Sequence, residues 1–235
     1  MIKFFKKIRQ NMIKENKVSK YFLYAIGEIV LVVIGILIAL SVNNWNEKQK
    51  LIKQELEILL ELRDEIVLNI DSYKMASKSN HRTTRKSNTF LDGPKGHRIH
   101  PDSISTVGSL FNYYPLKIEQ PILNTILNSS SEKIIKNKFL LEDLRNLKRK
   151  YNHVTEQLSY LDTFWNTNVA NYLISSGLGS TLDNVYTYDK AISIDHEFYT
   201  LLIMKNALLK EFTMYIEIAE KESIEIIDKI EKLSF

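Results

Sequence analysis

Residues 21–42 read YFLYAIGEIVLVVIGILIALSV, and this stretch decides the fold. Its 22 residues carry one charge, Glu28. As an α-helix rising 1.5 Å per residue it spans about 33 Å, which matches a hydrocarbon core of about 30 Å. Tyr21 and Tyr24 mark one edge and Trp45 lies just past the other, the placement of interfacial aromatics. A buried core helix is seldom so long and so uniformly apolar, so the sequence predicts a transmembrane signal anchor over residues 20–43.

Charge gives this anchor a direction. Residues 1–20 hold Lys3, Lys6, Lys7, Arg9, Lys14, Lys17 and Lys20 against Glu15, a net of +6, which leaves −2 for the other 215 residues. Only Lys48, Lys50 and Lys53 follow the span closely. The positive-inside rule then puts the N-terminus in the cytoplasm and exports residues 44–235. The apolar run exceeds a signal-peptide core and no small-x-small site follows it, so the anchor is expected to stay uncleaved. In the tail, residues 1–19, Ile2, Phe5, Ile8 and Met12 share a helical face amid basic residues. That suits a helix lying in anionic headgroups, and equally a tail that only sets topology. The sequence pI of about 8.9 is therefore a property of the tail and no sign of nucleic-acid binding.

The run KVSKYFLYAIGEIVLVVIGILIALSVNNWNE and, less specifically, PILNTILNSSSEKIIKN resemble a family of single-pass membrane proteins of Bacteroidota defined only as a domain of unknown function. The resemblance implies a Gram-negative inner membrane and a periplasmic C-terminal domain. It implies no activity.

Within the span, Glu28 stands out. A carboxylate at membrane depth costs a few kcal/mol on insertion scales, so such groups usually face protein or water. Gly27, Gly35 and Ala39 are small, and Gly35-x-x-x-Ala39 permits close helix approach. Gly27, Glu28, Gly35 and Ala39 are the candidate intramembrane contact. Three readings of Glu28 stay open: a carboxyl protonated or reaching the cytoplasmic interface, a partner for a polar group on another membrane helix, or a proton carrier as in ion-driven stator subunits.

Beyond the span, seven glycines, four prolines and no cysteine in 235 residues argue for long helices packed without disulfides. The fold class expected is all-α, the anchor continuing into an extended antiparallel helical bundle of three long helices in alternating directions. Trp45, Ile52, Leu56, Leu59, Arg63, Ile66, Ile70 and Tyr73 trace a heptad seam with a polar interruption at Arg63. The helix is therefore expected to run unbroken to Ala76, with residues 44–76 forming the first helix of the bundle. Short helices are expected over 102–111, capped by Asp102, and 121–128, opened by Pro121. A long helix follows over 133–174, with Ser131 a candidate cap and Asn137 a place where it can break. Its stripe is Leu140, Leu144, Leu147, Tyr151, Val154, Leu158, Leu161 and Trp165. Residues 177–193 read as loop. Asp195 caps a last helix over 195–232 whose apolar positions include Phe198, Leu202, Leu209, Phe212, Ile216, Ala219 and Ile227.

Residues 77–101 read as a basic loop. Lys78, Arg82, Arg85, Lys86, Lys95 and Arg98 face Asp92 alone, a candidate patch for an acidic partner or phosphate, or simply a solvated loop. His97 and His100 lack a carboxylate at metal-binding spacing. GPKGH lacks the phosphate-loop spacing and SGLGS is no nucleophile elbow. Glu55 and Glu57, and Glu222 and Glu225, are expected on charged helix surfaces. No catalytic, cofactor-binding or metal-binding residue is nominated, and an enzyme is not expected.

The expected function is that of a periplasmic helical protein serving as an interaction or scaffold subunit of an inner-membrane assembly. Its expected partners are membrane lipid and another membrane protein, or a second copy, through the span; neither cofactor nor nucleic acid is expected. Two alternatives stand beside it: a ligand-sensing periplasmic bundle signalling through a partner, and a stator-like subunit using Glu28.

Overall fold

A computed structural model of the chain describes residues 18–93, 98–99, 107–128, 134–176, 178 and 192–234. The chain divides into two units, Met1–Gln54 and Glu55–Phe235. One helix, α1, covers Val18–Leu91. It begins near the expected Lys20 and ends fifteen residues past the expected Ala76. No Gly or Pro occurs between Tyr73 and Leu91 to stop it, and Gly93 follows just after its end. Much of the segment read as a basic loop is therefore helix. In the first unit the apolar window is long enough to cross a membrane, and none of it is buried.

The second unit is a helical bundle. After α1 come a two-residue strand β1 (Arg98–Ile99), a 3-10 turn (Ser109–Phe111), α2 (Pro121–Ile126), α3 (Lys138–Phe164), a π-turn (Trp165–Val169), α4 (Ala170–Ser175), strand β2 (Ile192–Ser193) and α5 (His196–Ser234). β1 and β2 pair antiparallel, Arg98 opposite Ser193, a small ribbon where only loop was expected. Of the expected helix 102–111 the described part is its end, 107–111. Asp102, Ser131, Lys95, His97, His100 and the tail to residue 17 lie outside the described residues.

Helix ends follow their local chemistry. Asn137 caps α3, its side chain accepting from the amides of Phe139 and Leu140, so the long helix starts at Lys138 rather than 133. Asp195 accepts from the Phe198 amide at 3.0 Å and caps α5 as expected. The stripes of α3 and α5 face the core: Leu140, Leu144, Leu147, Tyr151, Val154 and Leu161 are buried, as are Phe198, Leu202, Leu209, Phe212, Ile216 and Ala219.

The expected seam of α1 holds at Leu59, Ile66, Ile70 and Tyr73, which are buried, and shifts elsewhere. Leu59, Leu62, Ile66, Asn69, Tyr73, Ala76 and Asn80 are buried, a 3-4-3-4-3-4 register. Arg63 turns outward to pair with Asp64 at 2.7 Å, and Trp45, Ile52 and Leu56 are exposed. The true core positions include asparagines, so a seam traced through apolar residues alone slips toward Arg63. Lys229 bonds Asp143 at 2.7 Å and Tyr151 bonds Ser223, so α5 runs antiparallel to α3. His81 meets Glu217 and Asn88 meets Asn206, so it is antiparallel to α1 as well. α1 and α3 run parallel, a departure from alternating directions. The cause lies in residues 112–128, which carry the chain back along α1, with Lys136 reaching Glu55 just before α3 begins.

Two apolar clusters fill the bundle. The larger joins Leu59–Ala76 of α1 with α2, α3 and α5 from Leu209 onward. The smaller gathers Val107, Leu110, Phe111, Tyr172, Leu173, Phe198 and Leu202.

Candidate functional site

The residues singled out in the span lie on an exposed helix. Glu28, Gly35 and Ala39 fall within about 40° of one another at about 100° per residue, and Gly27 sits at the margin of that face. A shallow groove of about 280 Å³ runs beside the carboxylate, lined by Ala25, Glu28, Ile29, Val32 and Val33. A Cβ built on Gly27 or Gly35 meets nothing within 4 Å. Among the described residues the face is thus bare, with small side chains that leave room for another backbone.

Of the basic patch, Lys78, Arg82, Arg85 and Lys86 stand on α1, Arg98 lies in β1, and Lys95 is not described. The four on α1 are exposed and share one face at spacing i, i+4, i+7, i+8. Lys74 continues it, and residues 72–91 contain no Asp or Glu. The opposite face holds buried Tyr73, Ala76, Asn80 and Ser87. A loop reading placed these cations in no order; the helix aligns them. Beside them is a groove of about 450 Å³ lined by Arg85, Lys86, Thr89, Phe90, Val107, Ser109 and Leu110.

Sequence reasoning missed a set of polar side chains along α1 that bind backbone. Glu55 accepts from the Lys136 amide at 2.7 Å. Glu65 accepts from the amides of Ile122 and Leu123 at 2.7 and 3.0 Å. It thereby satisfies two orphan N–H groups of α2, whose own N-cap residue, Gln120, supplies no side-chain bond. Asn69 both donates to the Glu119 carbonyl and accepts from the Glu119 amide, and Asn80 accepts from Tyr114 N–H at 3.1 Å. In chain order these partners run opposite to α1, so the ladder fixes the returning segment in register. Burial pushes the Glu65 carboxyl up, against the two amide bonds that favour its charged form. The signal in the sequence was the period: Asn69 and Asn80 occupy heptad core positions.

The same holds for Lys205, which sits between Leu202 and Leu209 in the α5 heptad and is 1% exposed. Its ammonium donates to the Leu110 carbonyl at 2.8 Å and to Asn206 Oδ1 at 3.4 Å. Ser87 also donates to that carbonyl, at 3.1 Å, and Asn206 reaches Asn88 at 3.1 Å. With Asn80 these groups form a polar layer between the two apolar clusters. Desolvation pushes the Lys205 amine down to about 7, and no carboxylate among the described residues pairs with it.

Between α1 and α5 a further groove of about 500 Å³ is lined by His81, Thr84, Ala207, Lys210, Met214 and Glu217, among others. Glu217 there accepts from Ser77 and meets His81 at 2.8 Å. Among the described residues no three His, Asp or Glu gather as metal ligands.

No curated protein and no solved structure matches the chain. Residues 28–85, from Glu28 through the buried Glu65, Asn69 and Asn80 to the cation face at Arg85, match the model of a family of unknown function, DUF6090, in keeping with the resemblance to a domain of unknown function.

Proposed function

We propose that the protein is a membrane-anchored interaction subunit: the span of residues 20–43 holds it in an inner membrane with the N-terminus cytoplasmic, and the helical bundle works in the periplasm as a scaffold without catalysis. The observation that carries this reading is the bare face of the span. A 22-residue apolar helix presents Glu28 beside Gly35 and Ala39, and among the described residues none of its apolar window is buried. Small residues plus a carboxylate suit a second helix better than lipid. Two copies would bring two glutamates together, and at least one would need to be protonated. A different subunit offering a polar or basic group avoids that conflict and is the favoured partner.

The absence of native cysteine permits the test. Single cysteines along residues 24–39 should crosslink to another membrane protein with a helical period centred on Glu28 and Gly35. The crosslinks should weaken when Glu28 is replaced by Leu. Crosslinks absent at every position, together with a neutral Glu28→Leu, would sink the proposal. Orientation has its own test: fusions after Asn80 should be active with a periplasmic enzyme reporter and dark with a cytoplasmic fluorophore, and the reverse pattern overturns the topology.

A further inference from the structure

We propose that the groove beside the C-terminal end of α1 binds a small amphipathic organic anion, its carboxylate or phosphate head held by Arg85 and Lys86 and its apolar body lying on Phe90, Val107 and Leu110. The groove holds about 450 Å³, within the range of roughly 300–1,000 Å³ typical of small-molecule sites. Its lining divides cleanly. Arg85 and Lys86 supply the charge, Phe90, Val107 and Leu110 supply apolar wall, and among the described residues no carboxylate lines it.

Neither cation forms an ion pair among the described residues. Both belong to a twenty-residue stretch, 72–91, with five Lys or Arg side chains and no acid, so every charge this stretch of α1 itself contributes is positive. A guanidinium fork beside an ammonium is well suited to a two- or three-oxygen anion. Apolar walls distinguish this place from the rest of the cation face. A fully hydrated ion gains nothing from Phe90 and Val107, and a neutral apolar molecule gains nothing from Arg85 and Lys86.

The site is also built on a fixed floor. The Leu110 carbonyl receives both Ser87 and Lys205, which pins the turn carrying Val107, Ser109 and Leu110 against α1 and α5. Ser87 is buried on the side of α1 facing away from Arg85, so the hydrogen bond that holds the floor also holds the cations outward. The Lys205 ammonium lies beyond that same carbonyl and adds to the positive field when protonated.

The test uses the full chain in nanodiscs of zwitterionic lipid, with empty nanodiscs as the blank. A fluorinated 4-phenylbutanoate is observed by fluorine NMR, alongside the matching phenylbutyl phosphate, the neutral phenylbutanol and inorganic phosphate. At least one of the two amphipathic anions should bind, with phenylbutanol and inorganic phosphate at least tenfold weaker. Whichever head binds tighter assigns the natural ligand to carboxylates or to phosphate esters. The R85Q/K86Q double variant should weaken binding at least tenfold while its circular dichroism and melting stay unchanged, since both side chains are exposed. Equal binding of the alcohol, equal binding of inorganic phosphate, an unaffected double variant, or a signal no larger than the blank would each overturn the proposal.

Discussion

Replacing Lys205 with Met should stabilise the bundle near neutral pH and remove a pH dependence that the wild type carries. An exposed lysine in the unfolded chain holds its proton up to about pH 10.5, whereas the buried amine gives it up at about 7. Between those values the unfolded state binds a proton that the folded state does not. Stability must therefore rise with pH across the window, by about 1.4 kcal/mol per unit. At pH 7.5 the cost of burying this amine is about 4 kcal/mol by the same relation. The variant escapes that cost and loses the bonds to Leu110 and Asn206, worth about 1–2 kcal/mol together. Leu110 keeps Ser87 as its donor. The net gain of about 2 kcal/mol corresponds to about 4–8 °C in Tm for a unit of this size. The assay is denaturation of wild type and variant in matched micelles at pH 7, 8, 9 and 10, taking the difference so that other titrating groups cancel. The advantage of the variant should shrink steadily and vanish near about pH 9. A difference independent of pH, or a variant less stable than wild type at pH 7.5, would refute the reasoning and mean that a counter-ion keeps Lys205 charged.

Three further outcomes follow from the polar ladder and the core. Asn69→Ala removes both bonds to Glu119 and should cost about 2–3 kcal/mol in equilibrium unfolding, and Asn69→Asp, which sets a buried carboxylate against the Glu119 carbonyl, should cost at least as much. Glu65→Ala strands the amides of Ile122 and Leu123 and should cost about 3 kcal/mol, against about 1 for Glu65→Gln; hydrogen exchange should quicken at those two amides before it does in α3. The Tyr73 hydroxyl is buried beside that of Tyr151 without a well-formed hydrogen bond among the described residues, so Tyr73→Phe should be neutral or stabilising by up to about 1 kcal/mol in the same unfolding assay.

Interior tyrosines fit the same picture of a core that tolerates polar groups only where they are matched. Tyr151 and Ser223 share a buried hydrogen bond of 3.0 Å. Tyr172 donates to Asp195 at 2.8 Å, which ties α4 to the cap of α5. Tyr113 likewise donates to Asp162, linking the returning segment to α3. Burial, aided by the adjacent carboxylate, raises the hydroxyls of both Tyr113 and Tyr172, so both remain donors at any physiological pH. The returning segment is therefore held from α1 by side chains that accept or exchange backbone bonds, and from α3 by a side-chain pair.

By itself the sequence determined the elements whose signal is local. The apolar run of residues 21–42, the stripes of α3 and α5, the Asp195 cap and the opening of α2 at Pro121 each depend on residues within a few turns of one another, and all were legible as period or punctuation. The all-α class followed from the same signals together with scarce Gly and Pro. Tertiary structure alone decided three things. It set the register of α1, because Asn69 and Asn80 occupy core positions for the sake of backbone groups some thirty to fifty residues away, and no local pattern announces such a partner. It made α1 and α3 parallel, because an extended return segment can be stitched along a helix only by side chains that meet it in space. It also turned a run of basic residues into an ordered face beside an apolar groove, because whether residues 77–91 stay helical depends on what packs against Asn80 and Ser87 from the other side. A period can be read from one strand of text; the satisfaction of a buried hydrogen-bonding group requires knowing both of its ends.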